Sequence, residues 1–118
     1  HGASNLGCYD LWKDVKRLEV MKERFVNVQK GIILFVTNEE SYKRLPKKVE
    51  VGYANFSIHE GRNICDENKN LSWNGELAIA ETRPPFILND NYLIKWSELN
   101  TEHWNKLDNS IKHFYFIL

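Results

Sequence analysis

The chain has only two cysteines, Cys8 and Cys65, lying 57 positions apart in 118 residues. Such scarcity excludes the disulfide framework of small secreted domains and points to a reducing, intracellular compartment, with the cytoplasm as the expected location. The histidines at 59, 103 and 113 show no paired ligand spacing with each other or with the cysteines, so the patterns of a zinc site are missing as well. Net charge is also lacking. Sixteen basic and sixteen acidic side chains cancel, which excludes a whole-molecule field that would draw the protein onto nucleic acid or anionic lipid; contact with DNA would have to come from a local patch. No apolar run approaches the roughly 18 residues of a membrane span, and no membrane partner is expected. A P-loop, G-x-G-x-x-G and G-x-S-x-G are absent, which removes the commonest nucleotide and hydrolase signals. Repeats, low-complexity tracts and linkers are absent too.

What is present has a globular composition. Hydrophobic residues make up 42% and aromatics 13%, with four tryptophans, in a chain long enough for one core and too short for two. Residues 1–118 are therefore expected to form a single domain or the C-terminal portion of a larger one. His1 in place of Met, with no charged start and apolar signal core behind it, favours a portion.

Between Cys8 and Phe25 the residues Cys8, Leu11, Trp12, Val15, Leu18 and Phe25 recur at three- and four-residue steps. That spacing predicts a helix with one buried side, opened by Asn5 as its N-cap. Asp10, Lys13, Asp14, Arg17 and Arg24 fall on the other side. They are either a wet, salt-bridged face or the lining of a site.

"GIILFVTN" then reads as a strand buried on both faces. Thr37 and Glu40 have capping-box spacing for a short helix through Tyr42, closed by Pro46. From Val51 the period becomes two, with Ala54, Phe56 and Ile58 facing inward and Asn55, Ser57 and His59 outward. Turns are expected at "EGRN", in "CDENKN" and at Asn74-Gly75. Three-residue hairpin loops would set Trp73 against Leu77 and Leu71 against Ile79, and likewise Leu88 against Tyr92 and Phe86 against Ile94. Pro84 and Pro85 mark a strand start, a helical turn begins near Thr101, and "HFYFIL" ends as a strand apolar on both faces. The order predicts an α+β fold, a long N-terminal helix packed on a mostly antiparallel sheet.

Three sets of residues have chemistry to offer. His59, Glu60 and Arg62 in "FSIHEGR" place an acid-base histidine near a carboxylate and a guanidinium, or else are a solvated strand end. Trp73, Trp96 and Trp104 suit a stacking platform for bases, or core. The third is the polar face of the first helix.

Taken in order, "ASNLGCYDLWKDVKRLE", "GIILFVTNEESY", "FSIHEGR", "LSWNG" and "YLIKW" resemble uncharacterised bacterial proteins related to the PD-(D/E)XK, restriction-endonuclease-like nucleases, along nearly the whole chain. The resemblance implies a Mg²⁺-dependent nuclease whose metal-binding aspartate and E-x-K strand precede the helix, so that this chain is the C-terminal part and is inactive by itself. No metal is expected in it, and no catalytic residue. Asp14-Val15-Lys16 and Glu67-Asn68-Lys69 spell the triplet, but one falls within the helix and the other in a loop, whereas the active site needs both groups on one side of a strand. By the same resemblance Tyr9, Asp10, Lys13, Asp14 and Arg17 become candidates for contacting phosphate or ordering the metal's surroundings, together with His59 and Arg62. Departures stand at Cys8, where relatives carry Arg, and at Lys43, where they carry Trp. The resemblance leaves DNA, through a local basic patch of the full-length protein, and a second copy of the chain as candidate partners. The alternative is a noncatalytic module whose sheet face or strand edge binds protein.

Overall fold

In the computed structural model, which describes residues 2–46, 52–75, 79–99 and 113–118, helix α1 runs from Gly2 to Arg24. Its inward side is the one that the spacing selects: Cys8, Leu11, Trp12 and Val15 are buried, and Tyr9 joins them. The helix begins ahead of Asn5, which is therefore not its cap, and passes through Gly7. Glycine within a helix costs about 1 kcal/mol relative to alanine. Here a Cβ would stand 2.8 Å from the Tyr42 hydroxyl oxygen, so its absence is what lets the tyrosine dock. Phe25, expected on the buried side, is 56% exposed, because it lies beyond the end of the helix in a turn closed by the Val28 N–H on its carbonyl.

Short strands follow, in four antiparallel pairings that make three sheets. Strands β1 (Leu34–Thr37), β7 (Phe114–Ile117) and β6 (Ser97–Glu98) form one sheet in the order β1-β7-β6, with Leu34 opposite Ile117 and Ser97 opposite Tyr115. Strand β2 (Asn63–Ile64) pairs with β5 (Tyr92–Leu93), and β3 (Asn70–Leu71) with β4 (Phe86–Ile87). A single helical turn, α2, spans Ile79–Thr82. The fold is α+β, one long helix with antiparallel sheets. Its core gathers Trp12 and Val15 of α1 with Phe56, Ile58, Ile64, Leu71, Leu88, Ile94 and Phe116.

Several sequence expectations are corrected. β1 is not covered on both faces. Phe35 turns inward to stack on Phe116 at 5.5 Å, but Leu34 is 61% and Val36 48% exposed. A continuous apolar run records that a strand is sticky, not how many layers reach it. The β7 segment likewise buries Phe114 and Phe116 while Ile117 remains exposed. The Thr37–Glu40 capping box does not form: Thr37 Oγ1 accepts from the Glu39 N–H at 3.0 Å, and a 3₁₀ turn over Glu40–Lys43 follows. Lys43 then lays its ammonium 3.7 Å over the Phe114 ring.

The period-two stretch after Val51 is not a strand. Ala54–Phe56 is a 3₁₀ turn, and Phe56, Ser57 and Ile58 are buried in succession. Side chains take the place of a neighbouring strand. Trp12 Nε1 donates to the Phe56 carbonyl at 3.0 Å, Trp96 Nε1 to Ile58 at 2.8 Å, and the Arg62 guanidinium to Ala54 and Asn55 at 3.2 and 3.0 Å. The turns at Gly61 and Gly75 do form, both at positive φ, where glycine has no steric penalty.

Neither expected hairpin pairing is made. Leu71 faces Phe86, and Ile79 is helical; Leu77 lies outside the described residues, as do Trp104 and the turn near Thr101. Asn89-Asp90-Asn91 joins strands of two different sheets, because helix α1 captures it. Glu19, only 4% exposed, accepts the Asn89 N–H at 2.9 Å, the Asp90 N–H at 3.0 Å and the Tyr92 hydroxyl at 2.7 Å, with Lys16 Nζ 3.6 Å away.

Removing that carboxylate leaves two backbone N–H groups without an acceptor, and hydrogen bonds to charged groups are worth roughly 1.5–3 kcal/mol each. Glu19→Ala should therefore lose about 3 kcal/mol or more in urea unfolding, whereas Asp14→Ala, in an exposed pair, should lose under about 1 kcal/mol. Burial, the Glu19 hydrogen bond and the charges of Glu19 and Asp90 hold the Tyr92 phenol far above its ordinary value. A raised pKa keeps its stabilising share below the ordinary tyrosine value of about 10 and loses it as pH rises beyond. Thermal melts between about pH 8 and 11 should show this loss, and Tyr92→Phe should flatten it.

Candidate functional site

On the outer side of α1, Asp10, Asp14 and Arg17 are exposed and Lys13 is half-buried. Arg17 Nη1 donates to Asp14 Oδ1 at 2.6 Å across one helical turn, and Lys13 Nζ sits 5.1 Å from the centre of the Phe86 ring. Tyr9 behaves differently from its neighbours in the sequence. Its ring stacks on Trp73 at 5.6 Å and meets Phe56 and Phe86 edge-on at 5.1 and 5.6 Å. Its hydroxyl donates to the Pro84 carbonyl at 2.9 Å.

That bond fastens the stretch 83–86 beside the charged side of α1. Trp73 Nε1 holds the preceding carbonyl, of Arg83, at 2.9 Å. Burial lifts the Tyr9 phenol above its ordinary value, with Arg83 opposing the shift, Asp10 adding to it and Arg17 opposing it, so all three charges act at one hydroxyl. Arg83 is thus a member of this surface that sequence reasoning missed, since nothing in local spacing ties position 83 to position 9. Glu19 was also missed. There a signal existed, because Glu19 continues the buried Leu11–Val15 row at a four-residue step.

The residues of "FSIHEGR" do not converge. Arg62 spends its guanidinium on the Ala54 and Asn55 carbonyls, and burial lowers its pKa while Cys8 opposes. Glu60 accepts the Trp96 N–H at 2.7 Å. His59 Nδ1 lies 2.8 Å from Ser57 Oγ, but that serine is only 2% exposed and its oxygen also accepts the His59 N–H at 3.3 Å. A buried hydroxyl tied to its own loop is closed to a substrate. Burial and then the Arg62 charge hold His59 below its ordinary pKa, favouring the neutral ring. Trp73 is core and Trp96 half-buried, each with its indole N–H on a carbonyl, so neither offers a free stacking face together with a free donor. Among the described residues no three His, Cys, Asp or Glu side chains are grouped as a metal site.

Both cysteines are free thiols. Burial pushes the Cys8 thiol up to about 12, against the opposing influence of the Ile58 backbone and Arg62. The thiolate is the reactive form, so Cys8 should resist alkylation in the native protein and react only on unfolding, while half-buried Cys65 should label first. Mass spectrometry after timed iodoacetamide treatment checks the order. No family model, no curated protein and no solved structure matches this chain.

Proposed function

We propose that the chain is the C-terminal part of a PD-(D/E)XK-like, Mg²⁺-dependent nuclease, and that its own task there is to hold the nucleic-acid backbone rather than to cut it. The observation that carries this reading is the charged side of α1, where Lys13 and Arg17 stand, together with Asp10 and Asp14, beside the fastened stretch that carries Arg83. Lys13 and Arg83 make no ion pair among the described residues. They are available to phosphate oxygens. The resemblance in "YDLWKDVKRLE", "FVTN" and "IHEGR" suggests the family, and the helix followed by strand β1 is the order in which the first two stand.

The Mg²⁺ that the resemblance implies does not fit the residues described here. Asp14 is engaged by Arg17, and no three His, Cys, Asp or Glu side chains are grouped among the described residues. Magnesium needs near-octahedral oxygen ligation. The chain's part is accordingly binding, with no metal ligand and no catalytic step of its own.

Backbone contact by lysine and arginine releases condensed counterions, so affinity should fall steeply with salt. Fluorescence anisotropy with a labelled duplex at low salt should show binding, and Lys13→Ala and Arg17→Ala should each weaken it across unrelated sequences and reduce the salt slope by about 1. The melting temperature of Arg17→Ala should hardly move, because exposed ion pairs contribute only roughly 0 to 1 kcal/mol, and Lys13→Ala should lose only about the 0.5–1 kcal/mol of an exposed cation–ring contact with Phe86. Plasmid incubated with the chain and Mg²⁺ or Mn²⁺ should stay intact. Absence of binding, or binding indifferent to both substitutions, overturns the reading. Cleavage that disappears in Asp10→Ala/Asp14→Ala would transfer the active site to α1.

A further inference from the structure

The backbone of β1 has one side committed and one side open. Ile33 and Leu118 exchange both hydrogen bonds, at 3.1 and 2.9 Å, which makes them a hydrogen-bonded pair of the antiparallel ladder. Such pairs alternate with non-bonded ones. Phe35 with Phe116 and Thr37 with Phe114 are therefore bonded across to β7, while Leu34 and Val36 direct their N–H and C=O groups away from it. In the strand order β1-β7-β6 no described strand takes those groups up. The same two residues carry exposed side chains, and Ile32 beside them is 61% exposed. Natural edges are blunted by lysine, proline or a bulge. Residues 32–37 contain none of these.

From this edge we infer that two copies of the chain associate by pairing β1 with β1 antiparallel across a two-fold axis at Leu34, joining two three-stranded sheets into one. The edge is self-complementary in that register. Leu34 meets Leu34 of the second copy and Ile32 meets Val36, so every outward-facing position between 32 and 36 finds an apolar partner, and each hydrogen-bonded pair exchanges two backbone bonds. Charge selects the direction. The strand is preceded by exposed Lys30 and followed by exposed Glu39 and Glu40, so antiparallel pairing sets the basic flank of one copy beside the acidic flank of the other. Parallel pairing would oppose like charges. An isologous contact of this kind closes at the dimer. The inference goes beyond nucleic-acid binding and stands whether or not that reading holds.

Sedimentation velocity over about a hundredfold range of concentration should show a monomer–dimer equilibrium, since association follows mass action. Val36→Lys, which puts an ammonium on the pairing edge, should yield monomer with unchanged circular dichroism. A second measurement does not rely on that variant. In a Cys65→Ser background Leu34→Cys should form a disulfide-linked dimer under mild oxidation, because opposed residues of a bonded pair have Cα atoms about 5.5 Å apart, within disulfide reach. Ile117→Cys, on the same face but one strand further from the axis, should not. A monomer at every concentration, a dimer that survives Val36→Lys, or cross-linking at position 117 instead of 34 overturns the inference; the last outcome would mean that the sheets stack face to face.

Discussion

The structure depends on side-chain N–H groups that satisfy buried backbone carbonyls where no strand is present to do so. The stretch from Ala54 to Ile58 runs through the interior, with Phe56 and Ile58 fully buried, and an unpaired polar group there costs roughly 1–3 kcal/mol. Trp12, Trp96 and Arg62 supply the donors. Trp73 and Tyr9 do the same for the carbonyls of Arg83 and Pro84. Three tryptophans thus act twice, as core volume and as hydrogen-bond donors, which is how a chain with such short strands keeps an irregular interior.

Glu19 is the complementary device. Where the indoles bring donors to carbonyls, this carboxylate brings an acceptor to the N–H groups of Asn89 and Asp90 and to Tyr92. The result is directional. With the turn held on α1, β4 and β5 diverge to different partners, and strands β2 to β5 are divided between two small sheets rather than β4 and β5 being folded into one hairpin.

These anchors also determine what remains outside. Because Tyr9 reaches across to Pro84, the charged side of α1 is bordered by Arg83 and Phe86 instead of by open solvent. Because β1 turns Phe35 toward Phe116 and Trp96, it must turn Leu34 and Val36 the other way, since successive residues of a strand face opposite sides. Interior packing thus produces both surfaces, the charged side of α1 and the apolar edge of β1.

The sequence by itself determined the helix with its buried row, the α+β class, the turns at Gly61 and Gly75 and the start of β4 behind two prolines. Each follows from residues a few positions apart, which is the range of helical periodicity, of glycine's backbone freedom and of proline's missing N–H. Tertiary structure alone decided that 54–58 is no strand, that Tyr9 belongs to the interior, which N–H groups Glu19 accepts, which strands pair, and that Arg83 joins the surface of α1. It also drew His59, Glu60 and Arg62 to separate partners. The reason is distance along the chain: Trp12 and the Phe56 carbonyl are 44 positions apart, and Glu19 and the Asn89 N–H 70. Backbone groups accept any geometrically suitable partner, and local pattern has no means of naming one that only folding brings near.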